Sequence, residues 1–145
     1  MITKISHACI YVLDQDSAKE FYTTKLGFTV HTDVEMGDGF EGAGKGFRWL
    51  TVSPPDQPEI EIILADCRMG HDEQTAKELR SLVAKGALGA AAFETDDCQK
   101  SFEELSARGV TFLSEPAERP YGIEAVFRDD SGNWFSLTER REFAG

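Results

Sequence analysis

The chain carries one structural plan twice. Residues 5 to 30, ISHACIYVLDQDSAKEFYTTKLGFTV, and residues 88 to 113, LGAAAFETDDCQKSFEELSARGVTFL, each run through an apolar stretch, an Asp-rich turn, a helical stretch, a glycine and a second apolar stretch. Asp14 and Asp96 lie 82 residues apart, and so do Gly27 and Gly109, so the distance from helix cap to helix stop survives where side-chain identity does not. Spacing kept in this way marks a duplicated supersecondary unit. The copies differ at one chemically loaded position: His7 opens the first, whereas Gly89 and Ala90 stand at the corresponding place in the second.

Periodicity fills in the rest of the plan. Residues 5 to 13 read as a strand covered on both faces, and Asp14 to Asp16 offer N-caps. Ala18, Phe21, Tyr22 and Leu26 then recur at helical spacing before Gly27. Strands are expected from Phe28 to Thr32 and from Arg48 to Ser53, and PEIEIILAD alternates with period two. Residues 37–46 are glycine-rich and read as a long turn, a candidate lid. A connector helix capped by Asp72, with Leu79, Leu82 and Val83 as its apolar stripe, ends at Gly86. The second unit repeats the first: strand 88–95, a helix carrying Phe102 and Leu105, strand 110–114, a proline-bounded turn from Glu115 to Pro120, strand 122–128, the turn DDSGN and a final strand WFSLTER. The expected architecture is a single α+β domain over residues 1–145. It consists of two tandem βαβββ units, 1–66 and 88–141, joined by a connector helix within 67–87. Their sheets form a cupped, barrel-like mixed surface with a cleft inside.

Composition limits the partners. A formal charge of −11 and a pI near 4.6 argue against nucleic acid and anionic membranes, since an acidic surface releases no counterions from a polyanion. No apolar run is long enough to span a bilayer, and MITKISH lacks the pattern of a signal peptide, so a cytoplasmic protein is expected. Cys9, Cys67 and Cys98 are odd in number and widely spaced, which suits a reducing compartment rather than a disulfide framework.

The segment ISHACIYVLDQDSAKEFYTTKLGF and the closing FRDDSGNWFSLTE together resemble the opening and closing signatures of the vicinal-oxygen-chelate superfamily, which includes glyoxalases, bleomycin-resistance proteins and extradiol dioxygenases. The resemblance covers essentially the whole chain and implies the paired βαβββ fold. It also implies four metal-ligand places, on the first and fourth strands of each unit. Here these hold His7, Glu61, Gly89 or Ala90, and Ser136. His7 and Glu61 can ligate a divalent metal, whereas Ala90 and Ser136 replace the other two ligands, and catalytic sites ordinarily recruit three protein groups or more. The expectation is therefore no cofactor, with a divalent metal as the alternative.

Strand parity puts Cys9 and Tyr11 on the face of His7, and Trp134 with Ser136 on the inner side, leaving Phe135 to the helix side. Cys9 is either packing or a nucleophile; Glu59 is placed at the strand mouth in water, and Glu124 is an inward candidate whose face is open. Arg48 and Arg128, next to aromatics, are candidates for fixing an anion. Phe47, Trp49 and Trp134 are the large rings near the cup. His31 and His71 are expected at the surface. The ligand-binding set is thus His7, Cys9, Arg48, Trp49, Glu61, Trp134 and Ser136. The leading reading is a metal-free protein that sequesters an aromatic or hydrophobic small molecule in the manner of the superfamily's drug-binding branch. The alternative is a metal-dependent lyase, isomerase or dioxygenase using His7 and Glu61, and a third reading is an interaction module with a filled cup. The resemblance also implies a homodimer.

Overall fold

The computed structural model describes residues 1–36 and 47–141; the glycine-rich segment 37–46, read above as a candidate lid, lies outside the described residues. The elements run β1 (His7–Val12), α1 (Gln15–Glu20) continuing into a π-helical turn (Phe21–Lys25), β2 (Thr29–Glu35), β3 (Arg48–Ser53) and β4 (Glu61–Asp66). After the connector helix α2 (Glu73–Ala84) come β5 (Gly89–Glu94), α3 (Cys98–Ala107), β6 (Thr111–Arg119), β7 (Gly122–Arg128) and β8 (Trp134–Arg140). They build two four-stranded mixed sheets of identical order, β1-β4-β3-β2 and β5-β8-β7-β6. In each sheet the first strand runs parallel to the fourth and the other pairs are antiparallel. This is the tandem βαβββ, α+β architecture expected from the repeat.

The helices start and stop where the local chemistry directs. Asp14 caps α1 by accepting from the Ser17 N–H at 2.9 Å, and Asp97 caps α3 by accepting from the Lys100 N–H at 3.0 Å. The working cap of the second unit is thus Asp97 rather than Asp96, 83 residues beyond Asp14. The stops return to 82 because the π-helical turn at Phe21–Lys25 holds one residue more than an α-turn would. Gly27 and Gly109 take φ of +76° and +92°, left-handed conformations that end the helices. On α2 the buried residues are Ala76 and Val83, and Leu82, placed in the expected stripe, is exposed. The proline-bounded turn expected at Glu115 to Pro120 is instead mostly strand. Because β6 is an edge strand, Pro116 sits in it at the cost of irregular register between Phe112 and Ala117, and the turn contracts to Pro120 and Tyr121.

Alternation sends Ile10, Val12, Leu50, Val52, Ile62 and Leu64 to the outer face of the first sheet and Phe127, Phe135 and Leu137 to that of the second, and these residues form one buried cluster. The π-helical turn joins the two halves. Its Tyr22 ring lies 6.3 Å from Phe135 and 5.9 Å from Phe28, which in turn meets Phe93 edge-on at 5.5 Å. Phe93, Phe127 and Phe135 stack, with Phe135 4.9 Å from Phe93 and 5.3 Å from Phe127.

Polar bonds lock the units together around the closing turn. Asp129 Oδ1 accepts from the backbone N–H groups of Ser131, Gly132 and Asn133 at 2.9 to 3.0 Å, while Oδ2 accepts from the Tyr22 hydroxyl at 2.7 Å and Asn133 Nδ2 at 3.0 Å. Asn133 Nδ2 also donates to the Tyr11 carbonyl at 2.8 Å, and Ser131 Oγ accepts from the Leu13 N–H at 2.9 Å. The turn packs closely on α2: a Cβ at Gly132 would overlap the Val83 carbonyl, and Gly132 has a φ of +124°. Burial, reinforced by the Asp129 charge, pushes the Tyr22 phenol well above its ordinary pKa and keeps it a donor.

A second polar cluster ties α1 to its own sheet. Arg48 donates through Nε and Nη2 to Asp33 at 2.8 and 2.9 Å and through Nη1 to Asp16 at 2.6 Å, and Lys19 Nζ reaches Asp33 at 2.8 Å. Hydrogen bonds from Arg48 and then Lys19 hold the Asp33 carboxyl well below the ordinary range. A depressed carboxyl contributes stability that is present above its unfolded pKa and lost as pH falls through the folded value.

Two stability predictions follow from these clusters. Tyr22→Phe is expected to cost about 1.5–3 kcal/mol and Asp129→Ala about 4 kcal/mol in urea unfolding with unchanged m-value, because the first removes one bond to a buried charge and the second orphans several buried donors. Equal, negligible losses would contradict the clasp. Asp33→Asn is expected to cost about 1–2 kcal/mol at pH 7. The gap to the unsubstituted protein should close as pH drops below about 4, where the unfolded carboxyl protonates; a gap that does not change with pH would contradict the ion cluster.

Candidate functional site

The faces turned away from the shared core carry the polar chemistry. On the first sheet, β1 and β4 bring His7 opposite Glu61 in register. His7 Nε2 lies 3.0 Å from Glu61 Oε2, and His7 Nδ1 lies 2.9 Å from Ser6 Oγ. The other oxygen, Oε1, accepts from Thr51 Oγ1 at 2.8 Å and faces His31 Nδ1 at 3.0 Å. Trp49, two residues before Thr51, places its indole 6.0 Å from the His7 ring. His7 and His31 thus flank a Glu61 carboxylate that Thr51 supports by a hydrogen bond, beside an indole, with the Glu61 side chain only 17% exposed.

His31 is exposed, as expected of it, with its side chain half open to solvent, yet its Nδ1 also lies beside Glu61. A β-bulge between Val30 and Thr32 takes His31 out of the pairing with β3, which breaks the simple alternation of β2. Val30 and Val34 keep the even spacing of a regular strand, so nothing in the sequence marks the bulge.

The second sheet presents a different set. Ala125 and Phe127 are buried in the core, so Glu124 faces inward, resolving the open choice for that strand. Its Oε1 accepts from the Tyr121 hydroxyl at 2.7 Å, with Arg119 Nε at 3.8 Å, and its Oε2 accepts from Ser136 Oγ at 2.5 Å. Ser136 Oγ is also 2.8 Å from Thr138 Oγ1. Trp134 is paired with Gly89 across the β5–β8 ladder and is 38% exposed. The indole lies over the glycine: a Cβ built on Gly89 would come within 2.8 Å of both Trp134 Cε2 and Cη2.

The register defines which residues of the second unit stand where His7 and Glu61 stand in the first. Tyr11, three residues before its cap, pairs with Ala65; Glu94, three before its cap, pairs with Thr138. Four residues back along each fourth strand are Glu61 and Trp134. The pair answering His7–Glu61 is therefore Gly89–Trp134. Ala90 falls in the irregularity between Gly89 and Ala91 and packs against the core cluster, and Ser136, reached by counting from the closing turn, sits two residues farther along β8.

These positions decide the fit of a four-ligand metal centre. His7 and Glu61 carry ligating atoms, but glycine and indole carry none, and among the described residues no group of three or more His, Cys, Asp and Glu is arranged to hold a metal ion. The donor set does not fit such a centre.

The remaining candidates separate cleanly. Trp49 joins His7 and Glu61 on the inner face. Arg48, its neighbour in β3, points the other way by strand alternation and is committed to Asp33 and Asp16, so the role proposed for it in fixing an anion is corrected to an outer-face structural one. Cys9 shares the inner face with His7; the surrounding protein raises its pKa, the Tyr11 hydroxyl pulling the other way, so the thiolate is not favoured. Glu59 is exposed in the turn before β4. Arg128 is an exposed residue paired with Trp134 across the β7–β8 ladder. His71 accompanies α2, its Nδ1 3.0 Å from the Cys67 carbonyl and its ring 5.3 Å from Tyr11.

A cleft of about 1040 Å³ opens elsewhere, between α2, the start of α1, the start of β3 and the end of β4, lined by Gln15, Asp66, His71, Lys77 and Arg80 among others. Its size does not make it the stronger site. Arg68 is paired with Asp66, and Arg80 donates to the Leu13 carbonyl, so its cations largely serve the fold. The inner faces offer what that cleft lacks, two indoles beside hydrogen-bonded carboxylates.

Residues 4–137 match the family model of the glyoxalase/bleomycin resistance protein/dioxygenase superfamily. Among curated relatives, the uncharacterised protein YurT of Bacillus subtilis (strain 168) is 38% identical over 138 residues, covering 94% of this chain and 99% of its own. Among solved structures, UcmS2 superposes with a TM-score of 0.86 at 48% identity, covering 96% of this chain and 99% of its own. TnmS3, an antibiotic binding protein from Streptomyces sp. CB03234, superposes with a TM-score of 0.72 at 27% identity, covering 97% and 98%. Fold, repeat and family match agree, and the chain belongs to the glyoxalase/bleomycin resistance protein/dioxygenase superfamily.

Proposed function

We propose that this protein binds a small aromatic or hydrophobic organic molecule on the inner faces of its two sheets, without a metal, and acts by sequestering it. The observation that carries this reading is the pair Gly89–Trp134, an indole surface at the register position where the first unit has His7 and Glu61. Trp49 supplies a second indole beside His7. Rings bind flat ligands by area and stacking, and the neighbouring carboxylates accept from hydroxyl or amine substituents. The likeness to TnmS3, an antibiotic binding protein, supports the same class of activity.

Val34 and Leu113 leave apolar area exposed, and we infer a homodimer that covers part of it. Its three cysteines are free, in keeping with action in the reducing cytoplasm. A second reading, a metal-dependent lyase, isomerase or dioxygenase, draws on one observation: Glu61 is flanked by two imidazoles, His7 and His31.

The two readings separate in one set of measurements on tag-free protein. Calorimetric titration with a panel of planar aromatic compounds should give binding that survives chelator treatment and weakens about tenfold in Trp49→Ala. Light scattering should give twice the 16.1 kDa chain mass. Stoichiometric metal that disappears in His7→Ala, together with loss of binding on chelation, would replace the first reading by the second.

A further inference from the structure

We propose that Gly89 is the positioning residue that holds the Trp134 indole flat as the stacking wall of the second unit, a wall suited to a fused-ring aromatic ligand. This inference rests on the binding function proposed above and adds a determinant to it. Glycine is not needed at 89 for its backbone: six glycines among the described residues adopt positive φ, and Gly89 is not one of them. What requires glycine is space. Any side chain would bring a Cβ within 2.8 Å of two indole carbons, far inside van der Waals contact, and the obstacle is the body of a rigid ring rather than the end of a flexible chain.

The ladder explains why the ring settles there. Trp134 is on β8, an inner strand, with Gly89 beside it on β5 and Arg128 beside it on β7. Only the glycine side lacks a side chain, so the indole can lie down across β5 with one face on the backbone. The residue remains 38% exposed, which leaves area for a ligand ring. Holding the indole in one orientation before the ligand arrives removes an ordering cost from binding, so the effect of Gly89 appears as affinity without Gly89 itself touching the ligand. The same geometry bars a ligating side chain at 89 while Trp134 lies over it.

The test uses full-length protein, Gly89→Ala, Trp134→Ala and the double variant, with 9-aminoacridine as a tricyclic probe. In a Trp49→Phe background without probe, Trp134 is the sole tryptophan, and Gly89→Ala should shift its emission to the red as the ring is lifted toward water. With Trp49 intact, Gly89→Ala should weaken acridine binding at least tenfold, and adding Trp134→Ala should cause little further loss. If Gly89→Ala lowers the melting temperature, Trp134→Ala should restore it in the double variant, because the overlap is with the indole alone. Unchanged emission, acridine affinity equal to that of the unsubstituted protein, or a melting loss that Trp134→Ala does not relieve would overturn the role of Gly89 and leave the binding function standing. Failure of the unsubstituted protein to bind acridine or any other planar compound would overturn that function, while the emission measurement would still report on the placement of the ring.

Discussion

The Asp129 carboxylate is the interaction on which the two halves of this molecule depend. It gathers three backbone N–H groups of its own turn and the hydroxyl of Tyr22, a residue 107 positions earlier in the chain. Through Asn133 and Ser131 the same turn fastens the end of β1. A buried charge is tolerable only when its lone pairs are filled, and these are. The consequence reaches the binding faces: with the outer faces of both sheets fixed to one core, the inner faces carrying Glu61 and Trp134 are held in defined orientation.

Against that fixed frame, the duplicated units have diverged in a specific way. Each inner face holds one hydroxyl-supported carboxylate, but on different strands. In the first unit Thr51 of β3 supports Glu61 of β4; in the second, Ser136 of β8 supports Glu124 of β7. The first unit surrounds its carboxylate with imidazoles, the second with a tyrosine, an arginine and, two residues from Ser136, an indole laid on glycine. The scaffold is conserved between the halves while the chemistry is not, which is how one fold comes to serve unrelated functions.

Much of this was legible in the residues because it is local. An Asp followed by helical periodicity and a glycine marks a helix wherever it occurs, so the units, their order and their fold follow from Asp14, Gly27, Asp72, Gly86 and Gly109. What was not legible depends on irregularities in pairing. His31 joins Glu61 through a bulge in β2, and nothing in the sequence marks that bulge. Counting from the closing turn points to Ser136 as the counterpart of Glu61; that Trp134 stands opposite Gly89 and Ser136 opposite Ala92 follows from the pairing of β5 with β8, and pairing is a tertiary fact. Arg48 is the opposite case: one step of alternation from Trp49 already sends it to the other face. Pro116 lies within a strand because that strand is an edge, which only the sheet order reveals.

The central claim is that a ring ligand is bound on the inner faces by the two indoles and not through a metal. The most direct measurement is a nitrogen-15 NMR titration of chelator-treated protein with a tricyclic aromatic, following the two indole N–H signals of Trp49 and Trp134. The account predicts that both move together and saturate at one ligand concentration, with residues of the α2 cleft unaffected. Movement confined to that cleft, or indole signals that respond only after a divalent metal is added, would contradict it.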